Sequence, residues 1–217
     1  MTERAGQEDM TKIKLCGLFS EEDIRCVNQL RPDYIGFVFW QKSKRYVTME
    51  QAKRLKELLA PHIQAVGVFV DEEAEEIIRL VQTGIIDVIQ LHGNEDDAYL
   101  QALREQVNCK IIQAYKIRSI EDVKRANASK ADLILLDSGM GTGQTFDWTY
   151  VKEVDRPFLL AGGLTPENVQ EAVTQIHPYG VDASSSLETD GKKDPEKLKA
   201  FMHHVRTVDD NHTGNTV

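Results

Sequence analysis

The sequence predicts a single-domain α/β protein with the (β/α)8 architecture of the TIM barrel. Short apolar runs alternate with helical patterns through most of its 217 residues, and about eight such pairs can be counted. Chemically distinctive residues also recur where the predicted strands end. An open doubly wound sheet shares the alternation, but these recurring residues favour the barrel, in which all the carboxyl ends of the strands converge on one face.

Eight short and mostly apolar segments are the predicted strands, because strands buried on both faces of a parallel sheet have this composition. In chain order they are residues 13–16, 34–39, 65–70, 88–92, 111–115, 133–137, 158–161 and 180–183. The stretches between them carry apolar residues three and four positions apart and charged residues elsewhere, which predicts an outer ring of helices. Helix starts are predicted at Ser20, Thr48 and Thr165, the last of which precedes Pro166.

The two ends of the chain define the predicted domain boundaries. Residues 1–11 are polar and acidic, and we expect a flexible N-terminal extension there. The barrel is predicted to span residues 12–206. Residues 207–217 are polar and aperiodic, so they are predicted to form a disordered tail.

Composition excludes several classes of function. A formal net charge of -9 argues against sequence-independent nucleic-acid binding, which depends on clustered Lys and Arg. No apolar segment is long enough for a membrane span, and the N-terminus does not resemble a secretory signal, so a cytoplasmic protein is expected. The three cysteines, Cys16, Cys26 and Cys109, are odd in number and widely spaced. This spacing predicts neither disulfides nor structural zinc.

Two segments late in the chain predict a phosphate site. One runs through Gly162 and Gly163 into Thr165 and Pro166, and the other is the Asp-Ala-Ser-Ser-Ser stretch at residues 182–186. Glycines between a strand and a helix leave backbone N–H groups pointing at open space, beside the positive end of the helix dipole. In barrels the phosphate site commonly follows the seventh and eighth strands, where both segments fall. The alternative is that these glycines only form tight turns.

Asp137 and Cys16 are the candidate groups for proton transfer. Asp137 ends the sixth predicted strand, and partial shielding from water would favour its protonated form and make it a usable acid. Cys16 ends the first strand beside Lys14 and Gly17, and a thiolate near cationic groups is a competent base. The alternatives are a loop-capping aspartate and a small core cysteine. Cys26 and Cys109 are interpreted as core residues.

Arg45 and His92 are candidate binding residues. Arg45 follows the second strand in a basic loop, and its planar fork of donors suits a carboxylate. A solvated basic loop is the alternative. His92 lies between Leu91 and Gly93 and could transfer protons, form hydrogen bonds or belong to the core; the last two are favoured.

With these residues assembled, the sequence resembles the phosphoribosylanthranilate isomerase family of tryptophan biosynthesis from residue 13 to about residue 206. Six features match in order. They are Lys-Leu-Cys-Gly at 14–17, Ser-Lys-Arg at 43–45, Gly-Val-Phe-Val at 67–70, Gln-Leu-His-Gly at 90–93, Gly-Thr-Gly at 141–143 with Phe-Asp-Trp at 146–148, and the two phosphate segments. Each match is weak, but the ordered set is specific.

The resemblance implies an Amadori rearrangement of N-(5'-phosphoribosyl)anthranilate that needs no metal or organic cofactor. Asp137 matches the general acid that protonates the ribose ring oxygen, and Cys16 matches the general base that removes the C2' proton. Arg45 matches the residue that holds the anthranilate carboxylate. The remaining predicted substrate-binding residues are His92, Gly163, Asp182, Ser184, Ser185 and Ser186. Of these, Gly163, Ser184 and Ser185 match phosphate positions, and Asp182 is expected near a ribose hydroxyl.

Two departures from the family pattern affect loops. Ser186 and Met140 stand where the family commonly has glycine, which places the loop conformations in question. A histidine-biosynthesis isomerase shares the barrel and reaction type, but its first strand ends in aspartate rather than Cys16. A catalytically silent, phosphate-binding barrel is the other alternative, and the presence of Cys16, Asp137 and Arg45 together argues against it. A small phosphorylated substrate is the expected partner of a monomer or homodimer.

Overall fold

The computed structural model describes residues 10–137 and 150–213, and its central element is a closed barrel of eight parallel strands. Each strand pairs with the next, and the last pairs with the first. The strands are β1 (Lys12–Cys16), β2 (Tyr34–Val38), β3 (Gln64–Phe69), β4 (Val88–Leu91), β5 (Lys110–Lys116), β6 (Leu133–Asp137), β7 (Phe158–Ala161) and β8 (Gly180–Ala183). The predicted TIM barrel and its eight strands are confirmed.

Seven α-helices surround the barrel in the described part of the chain. They are α1 (Glu21–Leu30), α2 (Met49–Leu58), α3 (Ala74–Gln82), α4 (Asp97–Gln106), α5 (Ile120–Asn127), α6 (Val169–Ile176) and α7 (Pro195–Thr213). A short 3-10 helix, Tyr150–Glu153, precedes β7. None of the helices described here is long and apolar enough to cross a membrane.

Local sequence signals explain where most helices begin. Ser20 and Asp23 cap the backbone reciprocally at the start of α1, and the Thr48 side chain accepts a hydrogen bond from the Gln51 N–H at the start of α2. The predicted start at Thr165 is wrong, because residues 166–168 form a turn and α6 begins at Val169. There the Asn168 side chain accepts from the Thr165 N–H and donates to the Gly163 carbonyl, which stabilises the turn.

The last helix continues beyond residue 206, where a disordered tail was predicted to begin. Helix α7 extends to Thr213, and Val208 and Asp209 on it are 4% and 8% exposed. Thr11, assigned by sequence to the flexible extension, is also buried and donates to Asp209 from its backbone N–H and its hydroxyl. Burial of Val208 and these bonds stabilise turns that look polar and aperiodic in sequence. Residues 1–9 and 214–217 lie outside the described residues.

Apolar side chains pack on both sides of the strands. The larger cluster lies between strands and helices and includes Phe37, Phe69 and Phe201, all at most 1% exposed. A smaller cluster includes Val66, Val88, Ile112, Leu135 and Leu159 and lies inside the barrel. Because successive strand residues point to opposite faces, the inward-facing positions continue from this cluster to the carboxyl ends of the strands.

Candidate active site

A cavity of about 1220 Å³ opens at the carboxyl ends of the barrel strands. It brings together residues from all eight strands or the loops that follow them, which is where barrel enzymes build their sites. Among its lining residues are eight of the nine predicted site residues: Cys16, His92, Asp137, Gly163, Asp182, Ser184, Ser185 and Ser186. Arg45, the ninth, lies beside the cavity rather than among the residues that line it.

Cys16 ends β1 with its side chain in the barrel interior and is 7% exposed. Its partner in the β1–β2 register is Gly36, and a Cβ added to Gly36 would lie 2.6 Å from the Cys16 Sγ atom. A glycine at this position therefore leaves the space that the thiol occupies. The Ser184 hydroxyl donates to the Cys16 carbonyl at 3.0 Å, which joins β1 to the loop after β8.

A fully buried lysine lies two residues before the thiol on the same face of β1. Lys14 is paired in register with Asp182 on β8, and its Nζ lies 2.9 Å from the Asp182 Oδ1 atom. Burial alone would lower the pKa of Lys14, but its charge and hydrogen-bond interactions with Asp182 and Cys16 outweigh that effect, so its pKa is raised. The ammonium ion is therefore retained inside the barrel, with Asp182 as its counter-ion.

Arg45 crosses directly over Gly17, where an added Cβ would lie 2.3 Å from the Arg45 Cδ atom. Its Nε and Nη2 atoms donate to the two carboxylate oxygens of Glu188 at 2.5 and 2.8 Å. Gly17 has a φ of 77°, which suits glycine and lets the backbone pass beneath the arginine. The bidentate pair fixes the guanidinium beside the cavity and near Ser184.

The Glu188 carboxylate also binds a second cation, the buried Lys193. The Lys193 ammonium donates to Glu188 Oε1 at 2.8 Å and to the Ser184 carbonyl at 2.9 Å, and its side chain is 1% exposed. Burial alone would raise the pKa of Glu188, but the Lys193 and Arg45 cations outweigh it and lower that pKa. Burial lowers the pKa of Lys193, although the Glu188 carboxylate opposes the change. Both residues lie on a two-stranded hairpin, β9 (Glu188–Thr189) and β10 (Lys192–Lys193).

Asp137 ends β6 and faces His92, which follows β4. The His92 Nε2 atom lies 3.5 Å from Asp137 Oδ2, and the Gln90 side-chain nitrogen lies 3.3 Å from His92 Nδ1. Donation from Gln90 to Nδ1 would leave the ring proton on Nε2, directed toward the carboxylate. The three residues therefore form a polar row along one wall of the cavity.

The two predicted phosphate segments lie side by side at the rim. Gly162 and Gly163 have φ values of 82° and 71°, so the loop after β7 depends on glycine. After β8 the chain enters a 3-10 helix, Ser185–Leu187, and the Ser186 hydroxyl donates to the Leu164 carbonyl at 2.5 Å. This bond ties the two loops together. Met140 and the Gly-Thr-Gly segment lie outside the described residues.

Glu188 and Lys193 are the charged site residues that sequence reasoning missed. Their separation from Arg45 and Cys16 along the chain hides the contacts, but one local signal was present. Asp190 and Gly191 form the turn of the hairpin with φ values of 52° and 76°, and an Asp-Gly pair at positive φ is typical of a two-residue hairpin turn.

Comparisons with known proteins agree with this geometry. The family model described as N-(5'phosphoribosyl)anthranilate (PRA) isomerase matches residues 13–204. The N-(5'-phosphoribosyl)anthranilate isomerase of Thermoanaerobacter sp. (strain X514) is 42% identical over 206 residues, which cover 92% of this chain and 100% of that protein.

Two solved structures are similar over 91% of this chain and the whole of theirs, each at 35% identity. The phosphoribosyl anthranilate isomerase of Thermotoga maritima superimposes with a TM-score of 0.84. A phosphoribosyl anthranilate isomerase in complex with reduced 1-(o-carboxyphenylamino)-1-deoxyribulose 5-phosphate superimposes with a TM-score of 0.81. The resemblance predicted from the ordered sequence features is confirmed, and the chain belongs to the N-(5'-phosphoribosyl)anthranilate isomerase family.

Proposed function

We propose that this chain converts N-(5'-phosphoribosyl)anthranilate to 1-(o-carboxyphenylamino)-1-deoxyribulose 5-phosphate by general acid–base catalysis, with Asp137 as the acid and Cys16 as the base. The observation that carries the proposal is the position of these two residues at the carboxyl ends of β6 and β1, lining one cavity. Two strands, β7 and β8, separate β6 from β1 around the closed barrel, so the two groups can approach one substrate from two directions.

The first step opens the ribose ring. Asp137 gives a proton to the ring oxygen as the bond between that oxygen and C1' breaks, and the bonding electrons go to the oxygen. The anthranilate nitrogen lone pair forms a double bond to C1', which yields a protonated Schiff base. His92 faces the Asp137 carboxylate, and a hydrogen bond from its ring would orient that group toward the substrate.

The second step removes the proton from C2'. The Cys16 thiolate accepts this proton, and the electrons of the C–H bond form the C1'–C2' double bond while the Schiff-base nitrogen becomes neutral. The resulting enolamine becomes the ketone when the Cys16 thiol gives a proton to C1' and the C2' hydroxyl gives its proton to the Asp137 carboxylate, so that both side chains return to their starting forms. No electrons leave the substrate, so proton transfer between side chains and substrate accounts for the whole conversion.

The phosphate and the carboxylate at the two ends of the substrate are proposed to hold it in this orientation. The loops after β7 and β8, including Gly163, Ser184 and Ser185, are the proposed phosphate site, supported by the open backbone of the glycines and the short helix. Arg45 is the proposed partner of the anthranilate carboxylate. Glu188 occupies its Nε–Nη2 edge, and Nη1 makes no hydrogen bond within the described ranges, which supports the other edge as the proposed contact for the carboxylate.

The expected context is that of a biosynthetic enzyme acting on a small phosphorylated metabolite. Asp182, His92 and Ser186 complete the proposed substrate contacts, with the second oxygen of Asp182 directed to a ribose hydroxyl. We expect no cofactor, a cytoplasmic location and a monomer or homodimer.

A fluorescence assay tests the function. Freshly generated N-(5'-phosphoribosyl)anthranilate is mixed with purified protein, and loss of anthranilate-type fluorescence is followed against spontaneous breakdown of the substrate. We expect rapid loss with the native chain and with Cys26→Ala, a matched cysteine away from the cavity. Cys16→Ala and Cys16→Ser should both lose at least about 100-fold in kcat, because a hydroxyl is far less acidic than a thiol. If Cys26→Ala lowered kcat as much as Cys16→Ala, the assignment of Cys16 as the base would be wrong.

A further inference from the structure

One wall of the cavity is apolar, and neither the proposed proton transfer nor the proposed anion contacts use it. It consists of Val38 at the end of β2, Trp40 in the loop that follows, Val68 on β3 and Val70 just after that strand. We call these four residues the apolar wall. Polar side chains such as His92 line other parts of the rim, so the cavity has one side suited to an apolar group.

Trp40 is the most unusual member of the apolar wall. In the described part of the chain three large apolar side chains are more than a third exposed, namely Trp40, Leu58 and Ile120, and of these three Trp40 lines the cavity. A large apolar side chain that is left open in a concave site commonly marks a contact with a ligand. An indole ring offers such a ligand a broad, flat and rigid surface.

Local structure explains why the indole lies in the cavity. Phe39 continues the β2–β3 ladder by donating its N–H to the Val68 carbonyl at 2.9 Å. Its ring stacks on Phe69 in the core, with ring centroids 5.2 Å apart. Because neighbouring residues of an extended chain point to opposite sides, this packing directs Trp40 to the cavity side. The Trp40 carbonyl then accepts from the Ser43 N–H at 2.9 Å, which begins the turn that follows.

The loop that carries Trp40 also carries Arg45, the proposed partner of the substrate carboxylate. Val38 forms a parallel bridge with Tyr46, and the Val47 N–H donates to the Val38 carbonyl at 3.0 Å. The loop therefore leaves β2 and returns to the same point. In anthranilate the carboxylate is attached to the ring carbon next to the one that bears nitrogen. A carboxylate held by Arg45 would therefore keep the aromatic ring close to this loop.

The apolar wall also lies across the barrel from the proposed phosphate site. β3 is four strands from β7 in either direction around the closed barrel, and the phosphate loops follow β7 and β8. Between these two sides, β1 with Cys16 lies on one arc of the barrel, and β6 with Asp137 lies on the other. A substrate with phosphate at one end and an aromatic ring at the other would span the cavity, with its reacting carbons between the base and the acid.

We infer that the apolar wall binds the aromatic ring of the substrate and that Trp40 is the specificity-determining residue that selects an aromatic amine over an aliphatic one. This inference rests on the proposed function, because it assigns the position of one part of that substrate. Trp40 packs against the ring through its indole and takes no part in proton transfer. Arg45 recognises the carboxylate, whereas Trp40 recognises the ring that bears it.

The test compares the binding of two stable probes and needs no turnover. Reduced 1-(o-carboxyphenylamino)-1-deoxyribulose 5-phosphate has the ring, the carboxylate and the phosphate. The corresponding reduced compound made with β-alanine has the same number of bonds between nitrogen and carboxylate but no ring. Isothermal titration calorimetry measures the Kd of each. Trp40→Ala should weaken binding of the aromatic probe about 5- to 20-fold and that of the β-alanine probe less than about twofold. Trp40→Phe should restore most of the difference.

Two further variants separate the ring from other contributions. Leu58→Ala is the matched control, because Leu58 is an exposed apolar residue on α2 that does not line the cavity, and it should leave both Kd values unchanged. Arg45→Ala should weaken both probes, since both carry the carboxylate.

The ratio of the two Kd values decides the outcome, because a general disturbance of the loop would weaken both probes alike. The inference is overturned if Trp40→Ala, with a native circular dichroism spectrum, weakens both probes equally or neither of them. A native chain that fails the isomerase assay but shows the ring-dependent loss at Trp40 would count against the proposed function and leave the ring site standing.

Discussion

Arg45 and Glu188 lie 143 positions apart in sequence, yet two hydrogen bonds of 2.5 and 2.8 Å join the guanidinium to the carboxylate. The pair connects the loop after β2 to the hairpin after β8 across the mouth of the barrel. It orients the Nε–Nη2 edge of the guanidinium, and the other edge is the one for which we propose the contact with the substrate carboxylate. A flexible surface arginine would have to lose side-chain entropy on binding, whereas this one is already ordered.

Arg45→Ala should therefore weaken substrate use mainly through binding. We expect a loss of about 10- to 100-fold in kcat/KM, since a charge-assisted bond to a carboxylate contributes about 1.5–3 kcal/mol. Arg45→Lys should recover little, because an ammonium cannot serve both Glu188 and the substrate with a planar fork. A substrate analogue without the carboxylate is the control. If Arg45→Ala loses as much activity on this analogue as on the native substrate, the carboxylate contact is wrong.

Asp137→Asn should lower kcat by about 10²- to 10⁴-fold, because an amide keeps the shape of the side chain but does not donate the proton that opens the ring. KM should change little. Steady-state kinetics of the fluorescence assay measure both values. Asp155→Asn, which alters an exposed carboxylate before β7, should behave like the native chain. An Asp137→Asn variant that retains more than about half of the native kcat would exclude the acid role.

Two variants of Ser186 distinguish the contribution of its backbone N–H to phosphate binding from that of its side chain. Ser186→Gly deletes the hydrogen bond to the Leu164 carbonyl but keeps the N–H, and should change kcat/KM less than about fivefold. Ser186→Pro removes the N–H and fixes φ, so KM should rise strongly while kcat is largely retained. The comparison is made on variants with native circular dichroism spectra. Native KM in the proline variant would assign the phosphate to Gly163, Ser184 and Ser185 alone.

The final turns of α7 should contribute to stability. Deletion of residues 207–217 removes Asp209 and leaves buried donors of Thr11 without an acceptor, and it also removes the buried Val208 side chain from the core. We expect the free energy of unfolding in urea to fall by at least about 2 kcal/mol. Deletion of residues 214–217 is the matched control and should have no effect. Equal stabilities for the two truncations would contradict the contribution of these turns.

Much of the fold was predictable because barrel strands carry a strong local signal. Buried parallel strands such as Leu133–Asp137 are continuous apolar runs, and the boundaries of the last three were predicted without error. The positions of Cys16 and Asp137 followed from the strand ends. Helix ends were harder where tertiary contacts decide them. Residues 207–213 are helical because Val208 and Asp209 pack against the rest of the barrel, and local sequence does not contain that partner.

The charge cluster around Cys16 was the least predictable part of the site. Lys193 and Glu188 belong to a short segment rich in charged residues, which in isolation is typical of a solvated surface loop. Lys14 was recognised only as a neighbour of the thiol. Its complete burial follows from the β1–β8 register, which pairs it with Asp182, and pairing across 168 positions depends on closure of the whole barrel.

Because the first strand pairs with the last, the barrel cannot close until synthesis of the chain is nearly complete. β1 pairs with β8, and Thr11 bonds to Asp209, 198 positions later. A ribosome that adds about 5–20 residues per second needs roughly 10–40 s to cover this distance. Until then the nascent chain carries unpaired edges on β1 and on the most recently made strand, which are templates for association with other chains. Rapid capture of these edges by chaperones would therefore benefit this protein most before its final helix leaves the exit tunnel.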